Sequence, residues 1–200
     1  MSTKEMDDLL PEQIPGFKVG EKKTIEEYTK LDAEDESLAK WKASLGLSST
    51  SNLLPVSPND KRKVVILEMA LLVENRDPII ISLEKESELS LKDKKISFNI
   101  KEKSIYSLRI KFKIQHEIVT GLKYLQGVKK SGIRVDKLEE PCGSYAPNTV
   151  DKPYYEITFP ENEAPSGMLA RGSYSAVSKF VDDDMNVHLV LPWSFQITKQ

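Results

Sequence analysis

The spacing of apolar positions changes period at about residue 60. Before that point Ile25, Tyr28 and Leu31, then Leu38, Trp41 and Leu45, recur every three or four residues, the repeat that lines up side chains on one face of a helix. Two short helices are expected. Thr24 and Glu27 have the spacing of a capping box for the first, Asp32 and Asp35 offer a weaker version for the second, and Gly46 marks a stop. Helices this short are marginal in water, because nucleation is costly and few hydrogen bonds follow it. The pattern therefore predicts an arm that folds on a partner. Residues 48–60, SSTSNLLPVSPND, are rich in Ser, Asn and Pro and read as a linker.

After residue 60 the period becomes two. Tyr106, Leu108, Ile110, Phe112 and Ile114 alternate with Ser107, Arg109, Lys111, Lys113 and Gln115, as in a strand with one buried and one wet face. Val187, Leu189, Leu191, Trp193, Phe195 and Ile197 repeat the pattern, with Pro192 removing a ladder donor and implying an edge or a bulge. Further strands are expected around residues 63–74, 78–84, 95–100, 118–128, 132–138, 153–159 and 172–181. Strands separated by turn residues, with no helical stretch between them, predict an all-β fold. The expected architecture is an immunoglobulin-like antiparallel β-sandwich in residues 61–200, preceded by a flexible N-terminal helical arm in residues 1–60. The inward-facing positions suit either a plain core or a pocket for a greasy ligand between splayed sheets, and periodicity does not decide between them.

With 200 residues, 39% hydrophobic and 30% charged, the chain suits one globular domain with an appendage. It holds no apolar run of about 18 residues, so stable membrane insertion is not expected. The start, MSTKEMDDLL, is acidic where a signal peptide would be basic and then apolar, and Cys142 is the single cysteine. Both point to the cytoplasm. Residues 1–60 carry 7 Lys/Arg against 12 Asp/Glu, which leaves 22 against 19 in the rest. The arm is acidic and the body nearly neutral, without the basic stripe that nucleic-acid binding requires.

No catalytic equipment is evident, so the expectation is a binding protein and not an enzyme. His116 and His188 lack paired zinc-site spacing, and neither a Gly-rich phosphate loop nor a Gly-x-Ser-x-Gly elbow occurs. No metal site or cofactor is expected. Cys142, in EEPCGSY, has no basic neighbour to lower its pKa and reads as a bland thiol. The run Asp182-Asp183-Asp184 suits a solvated turn, a contact with basic residues of a partner, or a calcium site, for which the dispersed ligands are missing.

Several segments in order resemble the Rho GDP-dissociation inhibitors, from about residue 22 to the end. APSGMLARGSYSAVSKFVDDD at 164–184 is the most specific; IKFKIQHEIVTGLKYLQ, GIRVDK, GSYAP at 143–147 and LDAEDESLAKWKASL in the arm fit as well. The resemblance implies that the sandwich takes the geranylgeranyl tail of a prenylated Rho-, Rac- or Cdc42-like small GTPase, GDP-bound by preference, and removes it from the membrane. At about 0.8 kcal/mol per CH₂, a tail of about twenty carbons represents on the order of 10 kcal/mol of burial. By positional match, Phe98, Tyr106, Ile118, Leu169 and Trp193 would line or border the prenyl pocket. Asp136, Glu139 and Glu163 would form an acidic rim for the basic tail of the GTPase. The arm would slow GDP release by placing Asp35 and Ser37 on switch I, while Asp184 would contact basic residues near switch II. A monomer forming a one-to-one complex is implied. A general prenyl-protein carrier without inhibition of nucleotide exchange is the alternative. The family commonly has two tryptophans spaced by one residue in the last strand, whereas here Leu191 holds the first position; residues before 20 match the family poorly.

Overall fold

The computed structural model describes residues 9–12, 16, 27, 35–37, 52–85 and 95–199. Among the described residues ten strands form, in chain order β1 Val64–Val73, β2 Ile79–Ser82, β3 Ser97–Lys101, β4 Ile105–Ile114, β5 Val119–Lys130, β6 Ile133–Tyr145, β7 Tyr155–Thr158, β8 Asn162–Glu163, β9 Gly172–Val181 and β10 Val187–Thr198. One sheet runs β2-β1-β4-β7, with β8 also on β4; the other runs β3-β10-β9-β5-β6. The two stack as the expected β-sandwich. The antiparallel expectation fails at one place, because β3 pairs with β10 in parallel, Ser97 opposite Ser194 through Lys101 opposite Thr198.

The alternation in the sequence sets which face of each strand is dry. Along β4, Ile110, Phe112 and Ile114 are buried, while Arg109 and Lys111 on the other face reach Glu68 and Glu156. Pro192 lies in a strand that is internal to its sheet, yet β3 pairs only from Ser194 onward, so β10 has an open side at the proline. The register shift of β10 falls between Val187 and Leu189. β6 runs seven residues past its expected end at 138, and the short β8 has no counterpart among the expected strands.

Asp35 Oδ1 accepts a hydrogen bond from the Ser37 main-chain N–H at 2.8 Å, with Glu36 and Ser37 helical. That is N-cap geometry, so Asp35 stands at the entrance of its helix and not three residues inside it. Glu27 is helical in the expected first helix; Thr24, Asp32, Gly46 and the apolar positions of both helices lie outside the described residues. Next to the body, Leu53 bridges to Thr149, and Leu54 N–H donates to Asn148 O at 2.8 Å.

One end of the sandwich is filled by a continuous core, in which Phe112, Tyr124 and Phe180 are among the largest fully buried side chains. Toward the other end the core divides into two smaller clusters, one around Leu71, Val73 and Ile100, the other around Val128, Tyr174 and Ile197. The first of these still joins the two sheets, Leu71 and Val73 of β1 meeting Ile100 of β3, while the second lies within the β3-β10-β9-β5-β6 sheet.

Candidate functional site

A cavity of about 530 Å³ occupies the space between the divided clusters. That volume falls within the usual range for small-ligand sites. Its walls come from both sheets: Leu71, Tyr106 and Leu108 from β1 and β4, facing Phe98, Val128 and Trp193 from β3, β5 and β10. Phe98, Tyr106, Leu108 and Trp193 point inward yet are only half-buried, because the cavity they face admits solvent. The alternation therefore serves core at one end and pocket at the other.

Aromatic rings make one wall. Phe98 stacks on Trp193 with centroids 5.2 Å apart, and Phe195 stacks on Tyr174 at 4.8 Å with an interplanar angle of 7°. The Trp193 indole N–H donates to Ser178 Oγ at 2.9 Å, and Ser178 Oγ also meets Tyr124 OH at 2.8 Å. Tyr124 OH in turn donates to Gln126 Oε1 at 2.7 Å, and Gln126 lines the cavity. With its N–H satisfied behind the wall, Trp193 turns an apolar ring toward the cavity. Burial pushes the Tyr124 hydroxyl well above its ordinary pKa, so it stays a donor. The alternation gave no hint of this network; Gln126 and Ser178, polar positions on the mostly apolar inward faces of β5 and β9, are the signal that could have found it.

The mouth carries charge of both signs. Asp136 on β6 and Glu163 on β8 border it and are exposed. Burial, and then the Asp136 charge across the opening, raise the pKa of Tyr106. Lys130 also borders it, but its Nζ donates to Arg171 O at 2.8 Å and sits 4.9 Å from the Tyr174 ring centroid. The adjoining segment 167–171 is fastened by Glu102, whose carboxylate accepts two bonds from Arg171 at 2.9 and 3.0 Å and one from Gly167 N–H at 3.1 Å. This clamp presents Leu169, 94% exposed, at the opening.

Of the residues that sequence reading assigned to the pocket, Phe98, Tyr106, Leu169 and Trp193 line the cavity. Ile118 does not. It lies half-buried in the β4–β5 turn at the opposite end, where Val119 next to it takes the core-facing position. Of the rim residues, Asp136 and Glu163 border the mouth, whereas Glu139 is on the outer face of β6. Side chains alternate along a strand, so Glu139 shares no face with Asp136 and Leu138. Its carboxylate accepts from Lys123 Nζ at 3.2 Å and from Glu12 N–H at 2.9 Å. Asp35 and Ser37 are exposed.

Asp184 is half-buried in the β9–β10 turn, at the end of β9 away from Tyr174 and the mouth. Ten residues of strand put this turn roughly 30 Å from the opening. The three aspartates have different surroundings. Asp182 is 5% exposed and accepts from Asn186 N–H at 2.9 Å and from Asn186 Nδ2, with His188 Nε2 at 2.9 Å. Asp183 packs its carboxylate on the bare Cα of Gly121. Among the described residues no group of three or more His, Cys, Asp or Glu side chains is placed to hold a metal ion. The Cys142 thiol is buried, which pushes its pKa up to about 12 and makes it unreactive near neutrality. Among the described residues no helix is long and apolar enough to cross a membrane.

Comparison with known proteins agrees over almost the whole chain. Residues 2–200 match the family model described as RHO protein GDP dissociation inhibitor. The chain is 57% identical over 186 residues to the Rho GDP-dissociation inhibitor of Saccharomyces cerevisiae, covering 92% of this chain and 91% of that one. It is 46% identical over 196 residues to the Schizosaccharomyces pombe inhibitor, with 98% and 92% covered. With Rho GDP-dissociation inhibitor 1 of Homo sapiens it shares 38% identity over 188 residues, 94% of this chain and 88% of the relative.

Proposed function

The chain belongs to the Rho GDP-dissociation inhibitor family, whose members are regulators of GTPases and not enzymes, and on that premise we propose a hold at two separated places on one prenylated client. The geranylgeranyl tail of a GDP-bound Rho-family GTPase enters the cavity between the sheets, and Asp136 and Glu163 guide the basic residues that precede the lipid. The arm of residues 1–60 orders on the GTPase, with Asp35 and Ser37 against switch I; Asp184 contacts basic residues near switch II. The protein acts in the cytoplasm as a monomer in a one-to-one complex. A clamped switch slows GDP release, and burial of the tail removes the client from the membrane.

The observation that carries this reading is the apolar cavity of about 530 Å³, walled by stacked aromatic rings, in a chain of this family. Ordering the arm costs conformational entropy at the moment of binding, so linkage to the lipid site supplies the effective concentration that the arm lacks alone. The test follows release of a fluorescent GDP analogue from a prenylated Rho-family GTPase on liposomes, then sedimentation. Slowed release with the GTPase in the supernatant supports the reading. A soluble GTPase with unchanged release makes the protein a general prenyl carrier, and no effect on either overturns both readings.

A further inference from the structure

The outer face of the second sheet, away from the cavity, holds apolar side chains that are covered. Leu125 alternates with Tyr124 and Gln126 along β5 and so points outward, yet it is 0% exposed; Val181, outward from β9, is 2% exposed. Leu9, 4% exposed, covers both, and the three form a cluster of their own. Gly127 shapes the seat, since a Cβ there would meet Leu9 Cδ1 at 3.4 Å. Pro11 is buried as well, and Glu12 N–H donates to Glu139 Oε2 at 2.9 Å. Lys137 Nζ lies 4.0 Å from the Glu12 carboxylate. An apolar plug, a main-chain hydrogen bond and an ion pair together fit one short segment in one register.

We propose that this groove is a docking site for the chain's own amino-terminal segment, and that it makes the arm bearing Asp35 and Ser37 a loop fastened to the sandwich at both ends. The second fastening is the pairing of Asn52 and Leu54 with residues 148–150, where Val150 N–H donates to Asn52 O at 3.0 Å. A segment closed at both ends has already lost part of its conformational entropy and stays near the body. A partner on the sandwich therefore meets the arm at a higher local concentration than a free tail would provide. The effect on a GTPase rests on the function proposed above; the docking does not.

Hydrogen exchange of the full chain tests the docking without any GTPase. The Glu12 amide is expected to exchange at least about tenfold more slowly than an unprotected one, since burying one leucine side chain is worth a factor of about ten or more. Leu9→Ser removes that protection and moves the amide resonances of Leu125, Gly127 and Val181. Gly127→Val blocks the same seat from the sheet side. Both variants should raise, about three- to tenfold, the concentration that half-maximally slows GDP release from a prenylated GTPase, with binding of a geranylgeranyl-cysteine probe unchanged. An unprotected Glu12 in the wild-type chain overturns the docking. Lost docking with unchanged inhibitory concentration overturns the two-ended loop. A wild-type chain that leaves GDP release unaltered sinks the functional reading and the arm's role together, while Glu12 protection still decides the docking.

Discussion

Asp182 stands in a run of three aspartates, yet its carboxylate is 5% exposed and faces His188 and Asn186 across the β9–β10 turn. Burial by itself would raise its pKa. The hydrogen bonds from His188 and Asn186, with the His188 charge, outweigh that and hold it at about 2, below its ordinary 3.8. A depressed carboxylate contributes stability that is fully present above the unfolded value and is lost as the pH falls through the folded one. The shift corresponds to about 2 kcal/mol. Asp182→Asn should therefore lower unfolding free energy in urea by about that amount near neutral pH, and its gap to the wild type should close between pH 3.8 and about 2. A gap that persists at the acid end would mean the residue acts through packing. Gly121 supports the same turn: its φ is +55° and a side chain there would run into the Asp183 carboxylate. Gly121→Ala should cost about 1–3 kcal/mol, read as a lowered Tm.

Strands decide what each residue can reach. The parity of β6 sends Asp136 and Leu138 to the cavity and Glu139 to the outer face, and a register shift between Val128 and Lys129 of β5 resets the pairing beyond Asp136. Strand β9 brings Ser178, 0% exposed, between the Trp193 indole on β10 and the Tyr124 hydroxyl on β5. Ser178→Val preserves the shape and strands the Trp193 indole N–H, whereas Tyr124 OH keeps Gln126 Oε1 as its acceptor, so the expected loss is about 1–3 kcal/mol for the one group left unpaired. Thermal melts measure it, and a change in Trp193 fluorescence reports the altered cavity wall. An unchanged melt would show that water replaces the hydroxyl.

On the scale of the molecule, the cavity mouth and the aspartate turn lie at opposite ends of one sandwich, so the proposed client would be gripped along its length. Asp35→Ala is expected to weaken the slowing of GDP release about tenfold while a geranylgeranyl-cysteine probe binds as before, because an arm contact and a lipid contact are separable parts of a linked hold. Equal loss in both assays would count against two separate sites. Asp136→Lys should slow association with the prenylated GTPase at low salt and lose most of that effect near 1 M salt, where the Debye length is about 3 Å. Stopped-flow association rates across a salt series give the answer; a salt-independent defect would point to a blocked mouth.

Local chemistry in the chain was enough to determine the family, the acidic composition of residues 1–60 and the place of every strand but β8, because a period of two and contiguous segments such as APSGMLARGSYSAVSKFVDDD are carried by neighbours in sequence. It also placed Phe98, Tyr106, Leu169 and Trp193 at the same cavity by positional match. Tertiary structure alone decided the rest. Whether inward residues form core or pocket depends on how far apart two sheets stand, and no single strand records that distance. Strand parity and the end of the sandwich at which a turn falls separated Glu139 and Ile118 from the cavity. Leu9 is one of several apolar residues scattered through the tail until β5 and β9 bring Leu125, Gly127 and Val181 together beneath it, a juxtaposition of positions more than a hundred residues away in the chain.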